Sequence, residues 1–123
     1  MTRHDHQEIV LIVEDDVETA KALAELLSLE SFDSIIVENG QEAMAMLRTG
    51  RRPCLILLDI MMPGMDGWEL RDAVLSDPGL SNIPIVVVTA DTAAFGKAAT
   101  LSLPIIRKPV DANQLLDEVR RFC

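Results

Sequence analysis

Five short apolar runs punctuate the chain, at Ile9–Val13, Ser34–Val37, Leu55–Leu58, Ile85–Val88 and Pro104–Ile106. The first four are rich in Val, Ile or Leu and bounded by Pro, Gly, Asn or Asp, as buried strands are. They are nearly all-apolar rather than alternating, the pattern of a parallel sheet covered on both faces. Helical patterns fill the gaps. Val17, Ala20, Ala24 and Leu27 fall on one helical face, and so do Ala112, Leu115, Leu116, Val119 and Phe122. Asn39 with Glu42, Asp66 with Glu69 and Asp111 with Gln114 each pair an acceptor with Glu or Gln three residues on. Helices are therefore predicted to begin near Gly40, Gly67 and Ala112. Stops are marked by Gly50 and by Asp77-Pro78-Gly79. Asp16 reads as a further N-cap.

Strand and helix alternate five times, which predicts an α/β fold with right-handed crossovers and helices on both faces of the sheet. Five such strands commonly take the flavodoxin-like order 2-1-3-4-5, with ligands bound beyond the carboxyl ends of the strands. The 123 residues fit one domain, 1–123, with residues 1–7 as a polar tail. No linker-like or low-complexity segment interrupts it.

The apolar runs are too short to span a membrane, and no signal-peptide pattern follows Met1. The expectation is a soluble, cytoplasmic protein. Twenty acidic against 11 basic residues give a formal net charge of −9, which disfavours direct binding to nucleic acid or anionic lipid. Cys54 opens an apolar run and reads as a small buried hydrophobe. Cys123 is read as frayed. Their spacing suggests neither a metal knuckle nor a disulfide framework, which fits a reducing compartment.

At the strand ends the first run leads into Glu14-Asp15-Asp16, the third into Asp59, the fourth into Thr89-Ala90 and the fifth toward Lys108-Pro109. Taken singly, each is ordinary: an Asp after a strand often caps a helix, a Thr has β-propensity, and a Lys before Pro is usually solvated. Together, at neighbouring strand ends, they place three carboxylates near one point, where they repel unless a cation joins them. Mg²⁺ prefers such oxygen ligands. A carboxylate is also a nucleophile able to form an acyl phosphate. A metal, an ammonium and a hydroxyl can then offset charge on the transferred phosphoryl oxygens.

The stretch Leu57-Leu58-Asp59-Ile60-Met61-Met62-Pro63-Gly64-Met65-Asp66-Gly67 resembles the phosphoacceptor segment of response-regulator receiver domains, which share the fold of the chemotaxis regulators. Leu11-Ile12-Val13-Glu14-Asp15-Asp16 resembles the family's first strand and acidic pair, Val87-Val88-Thr89-Ala90 its fourth strand and Lys108-Pro109 its closing motif. The resemblance covers nearly the whole chain. It implies a two-component phosphorelay domain in which Asp59 accepts a phosphoryl group from a histidine kinase or phosphotransfer protein. It also implies Mg²⁺, with Mn²⁺ able to substitute, held by Asp15, Asp59 and the Met61 backbone carbonyl, with Glu14 helping through water. Thr89, Ala90 and Lys108 would face the phosphoryl group. Pro63 and Gly67 would shape the acceptor loop, and Pro109 would follow a cis peptide bond. The surface around helix 4, strand 5 and helix 5 would carry the signal to an unknown downstream protein. The chain ends after its fifth helix, so no output domain is expected, nor an enzyme beyond assistance to its own phosphorylation and dephosphorylation.

Two features depart from the family pattern. Ile105 stands where the family usually has a switching aromatic, and is expected to be buried. The interval from Thr89 to Lys108 is about three residues short, so helix 4, across Asp91–Thr100 with Gly96 in its middle, is expected to be shortened or irregular. Two other readings compete: a binding module of this fold that works without phosphorylation, and a small hydrolase with an Asp nucleophile. The second lacks the Asp such phosphatases carry two residues after the nucleophile, where this chain has Met61. A flavin site is disfavoured by the acidic first loop. His4 and His6, in the polar tail, have no further ligand nearby in sequence.

Overall fold

A computed structural model describes residues 9–62 and 64–123. The elements run β1 (Ile9–Val13), α1 (Val17–Leu29), β2 (Asp33–Val37), α2 (Gly40–Arg48), β3 (Leu55–Leu58), α3 (Gly67–Ser76), β4 (Ile85–Thr89), α4 (Thr92–Thr100), β5 (Ile105–Arg107) and α5 (Ala112–Phe122). The five strands are parallel, in the order β2-β1-β3-β4-β5 expected of a flavodoxin-like sheet. The polar tail, with His4 and His6, and Pro63 lie outside the described residues.

Successive side chains on a strand point to opposite faces, and here both faces are apolar because both are covered. Val10, Ile12, Leu55, Leu57, Val86 and Val88 pack with Ala20, Leu23 and Leu27 of α1 and Leu115 and Val119 of α5. Leu11, Val13, Ile56, Leu58 and Val87 pack instead with Ala43, Met44 and Leu47 of α2, Leu70 and Val74 of α3 and Ala94 of α4. Full burial of each such Leu, Ile or Val contributes roughly 1.5–3 kcal/mol, and a one-residue slip would exchange the faces. The edge strands are the exposed ones. β2 starts one residue earlier than its apolar run, at Asp33, and only Val37 of it is buried. β5 is displaced by one residue to Ile105–Arg107, since Pro104 has no N–H to give the ladder.

Helices α2, α3 and α5 begin at the predicted residues. Asn39, Asp66 and Asp111 accept hydrogen bonds from the backbone N–H groups of Glu42, Glu69 and Gln114, and Asp66–Glu69 forms a reciprocal capping box. Asp16 bears out its reading in position but not in bonding. It stands at the N-cap of α1, but its carboxylate bonds the Thr19 hydroxyl and no backbone N–H. That bond holds Asp16 below the usual carboxylate range. The apolar face of α1 is Ala20, Leu23 and Leu27; Val17 is exposed. Helix α4 is short, nine residues, yet unbroken across Gly96. Ala93, Ala94, Ala98 and Ala99, the best helix formers, outweigh the cost of about 1 kcal/mol that one Gly imposes.

The two cysteines also depart from expectation. Cys54 and Cys123 are joined by a disulfide spanning 69 residues, with Cα atoms 5.5 Å apart. Nothing in so long a spacing announces a pair. They meet because α5 runs back along the sheet and delivers its last residue beside the start of β3.

Candidate functional site

The ladder hydrogen bonds continue one step beyond the strands, and each extra step positions a polar side chain. Glu14 N–H donates to Val37 O, Asp59 N–H to Val13 O and Lys108 N–H to Thr89 O, each at 3.0 Å. The carboxyl ends of β1, β3, β4 and β5 thereby present Glu14, Asp59, Thr89 and Lys108 along one edge of the sheet. Carboxylate oxygens of Glu14, Asp15 and Asp59 lie within 4.8 Å of one another. Glu14 and Asp59 are buried, at 2% and 5% exposure, and Asp15 is exposed.

The Lys108 ammonium lies 2.7 Å from a Glu14 carboxylate oxygen and 3.8 Å from Asp59. The other Glu14 oxygen accepts from Asp16 N–H at 3.2 Å, and Asp59 accepts from Met61 N–H at 3.2 Å. Burial, and the negative charge of Glu14, push the Asp59 carboxyl up to about 7, against the opposing pull of Lys108. The direct bond from Glu14 to Lys108 went unforeseen in the sequence, where 94 residues separate the two. Glu14 owes it to the length of its side chain, one methylene beyond an aspartate.

Thr89 is buried, and its hydroxyl oxygen accepts from Asp91 N–H at 3.1 Å. Ala90 follows it, exposed. The acceptor loop is shaped by Gly67, whose N–H donates to Ile60 O at 3.1 Å. A Cβ there would lie 2.7 Å from the Ile60 Cα and 2.8 Å from the Asp59 carbonyl oxygen. The Lys108–Pro109 peptide is cis. Met61 leaves its side chain 63% exposed. With Ile60, Met62, Asp66, Trp68 and Asp91 it lines a groove of about 370 Å³ beside the acceptor.

The switch position differs from expectation. Ile105 is half-buried, because β5 is an edge strand and α4, which packs near it, offers mainly alanines. Two cation–π contacts hold α4 instead. Lys97 lies 4.6 Å from the centre of the Trp68 ring of α3, and the Arg107 guanidinium 4.1 Å from that of Phe95. Neither contact was anticipated, since both depend on which way α4 faces. The donor set as a whole is one of hard oxygens with crowded negative charge, which suits Mg²⁺. The raised Asp59 carboxyl reflects first its burial and then that crowding.

Residues 10–120 match the family model for the response regulator receiver domain. The DNA-binding response regulator MtrA of Mycolicibacterium paratuberculosis is 34% identical over 114 residues, covering 90% of this chain and 49% of that protein. The chain thus spans about half the length of the curated relatives it matches. Among solved structures, the receiver domain of a signal transduction histidine kinase from Syntrophus aciditrophicus superposes with a TM-score of 0.83 at 31% identity, covering 94% of this chain and 89% of that one. The phosphorylated cyanobacterial phytochrome response regulator RcpA does so with a TM-score of 0.78 at 30% identity, covering 94% and 90%.

Proposed function

The chain belongs to the response regulator receiver domain family, and from that premise we propose that it is a phosphoacceptor whose acceptor is Asp59. The observation that carries the reading is the meeting of Asp59 with Glu14, Asp15 and Lys108 at the carboxyl edge of the sheet. An Asp59 oxygen forms a bond to phosphorus while the P–N bond to a donor histidine breaks, leaving an aspartyl phosphate and a free imidazole. The donor is a histidine kinase or a phosphotransfer protein, as response-regulator relatives imply.

Asp15, Asp59 and the Met61 carbonyl would hold Mg²⁺, or Mn²⁺ in its place, with Glu14 nearby. Bound there, the metal supplies positive charge against the phosphoryl oxygens. Lys108 supplies the second positive charge as a point cation on a long stem. The Thr89 oxygen already accepts from Asp91, so its hydroxyl hydrogen is free to donate to a phosphoryl oxygen. Ala90, with only a methyl group, leaves that approach open. Gly67 shapes the acceptor loop, its N–H donating to Ile60 O.

Residues 1–123 act as one receiver domain, cytoplasmic, signalling rather than turning over a substrate. Among the described residues no helix is long and apolar enough to cross a membrane. With a net charge of −9, its output passes to a protein rather than directly to nucleic acid or a lipid surface. The surface around α4, β5 and α5 carries that output. Incubation with acetyl phosphate and Mg²⁺ should add one phosphoryl mass to the wild type and none to Asp59→Asn. A variant that still gains the mass at the wild-type rate refutes the assignment.

A further inference from the structure

We infer that Cys54 and Cys123 form a reversible dithiol–disulfide site, a redox-responsive clasp on the end of α5. The two residues meet at the edge of the sheet opposite the phosphoacceptor. Cys54 precedes Asp59 by five residues, roughly 16 Å along an extended chain. The clasp is therefore a second covalent site, separate from the first.

Contacts other than the bond anchor both segments that carry the sulfurs. Leu115 and Val119 of α5 are fully buried, and Arg120 donates to Glu30, just past the end of α1, across 2.7 Å. On the other side, Cys54 N–H donates to Ile9 O at 2.9 Å, which fixes the start of β3 against β1. With Cα atoms 5.5 Å apart, the bonded pair sits at ordinary disulfide spacing.

Reduced thiols are accommodated as well. The Cys54 sulfur lies 3.4 Å from the Ile9 carbonyl oxygen, an acceptor for its S–H once the bond is open. Both cysteines are half-buried at the margin of the core rather than sealed within it, so small thiols and disulfides can reach them. The exchange balances with a low-molecular-weight disulfide as oxidant. One protein thiolate attacks it, forming a mixed disulfide and releasing one small thiol. The second protein thiolate then displaces the other small thiol, and the two protons given up by the protein end on the two small thiols released.

The bond governs the last turn of α5. Cys123 N–H donates to Val119 O at 2.8 Å, and beyond Arg120, which is tied to Glu30, the partial burial of Phe122 is the main apolar hold on that end. Opening the clasp loosens Phe122 and Cys123 while Leu115, Val119 and the Arg120–Glu30 bond keep the rest of the helix docked. Because α5 belongs to the proposed output surface, the effect on signalling rests on that reading; the redox chemistry does not.

The test uses the full chain equilibrated in glutathione buffers of increasing oxidised fraction, trapped by alkylation and weighed. Both thiols should be alkylated under reducing conditions, neither under oxidising ones, with the same midpoint from either direction. Cys123→Ser should form no intramolecular bond and should leave phosphorylation by acetyl phosphate unchanged. Reduction should lower the wild-type Tm by on the order of 10 °C and leave that of Cys123→Ser unmoved. Two free thiols in the oxidising buffer, or a bond that opens only on denaturation, would overturn the proposal. A disulfide between two copies through Cys123 would do the same. All these readouts are independent of Asp59, so failure of the phosphoacceptor assignment would appear separately.

Discussion

Lys108 is bonded to Glu14 across 2.7 Å, while the same ammonium stays 3.8 Å from Asp59. Glu14 is thus already committed, to Lys108 and to the Asp16 N–H, whereas Asp15 is exposed. Removing Asp15 should therefore harm the metal site more than removing Glu14. Asp15→Asn should weaken Mg²⁺ binding by more than about tenfold, and Glu14→Gln by less. Calorimetric titration of the two variants gives the order, and the reverse order would reassign the ligands.

The Asp59 carboxyl, near 7 in the folded protein against 3.8 in an unperturbed chain, makes metal-free stability depend on pH. Its folded value is raised, so its contribution is fully present below about pH 4 and is lost as pH rises through 7. The unfolded chain gives up the proton across this window while the folded one keeps it. The loss is on the order of 4 kcal/mol when complete. Asp59→Asn should remove this slope and, in chelator at pH 8, melt above the wild type by on the order of 10 °C. Parallel stability profiles for the two proteins between pH 4 and 8 would contradict it.

Gly96 lies inside α4 with nothing within 4 Å of where a Cβ would stand. Gly96→Ala should stabilise the helix by about 1 kcal/mol. Amide exchange across residues 92–100 should slow accordingly. Unchanged exchange would mean that α4 opens only together with the whole domain.

Gly67→Ala should have the opposite effect. Its Cβ would meet backbone at Ile60 and Asp59, which a rotamer change cannot relieve. The acceptor loop must shift, at a cost of roughly 1–3 kcal/mol. Phosphorylation by acetyl phosphate should fall together with Tm. A variant that phosphorylates normally would show the loop to be more compliant than its packing suggests.

Arg107 stands across the β4–β5 ladder from Thr89 and covers the Phe95 ring. Arg107→Ala should loosen α4 by about 0.5–1 kcal/mol, since the stack is one of two such contacts holding it. Faster exchange confined to α4 is the expected signature. If exchange accelerates equally in β4, the residue supports the sheet rather than the helix.

What could be read from the sequence follows from which interactions are local. The caps at Asn39, Asp66 and Asp111 act over three residues, so three helix starts were legible to the residue. The strand ends of a parallel sheet converge by topology, so Glu14, Asp15, Asp59, Thr89 and Lys108 could be grouped before any coordinate was known. Contacts set by side-chain direction across long separations were not legible. Lys108 reaching Glu14, Arg107 on Phe95 and Lys97 on Trp68 all belong to that class. Gly96 misled because its own propensity was weighed without that of the alanines around it. Cys123 misled because a helix's end point depends on the angle at which it packs.

The disulfide closes the segment from Cys54 to Cys123 into a ring and leaves the residues before it as an open arm. The ring, from Cys54 to Cys123, encloses Asp59, Thr89 and Lys108, while Glu14 and Asp15 lie on the arm. A protease cutting once within the ring, for instance in the turn at Asp77–Ser81, leaves every residue covalently attached. On a denaturing gel such a nicked molecule would keep its full mass until a reductant was added. Nicks in the arm would shorten it at once.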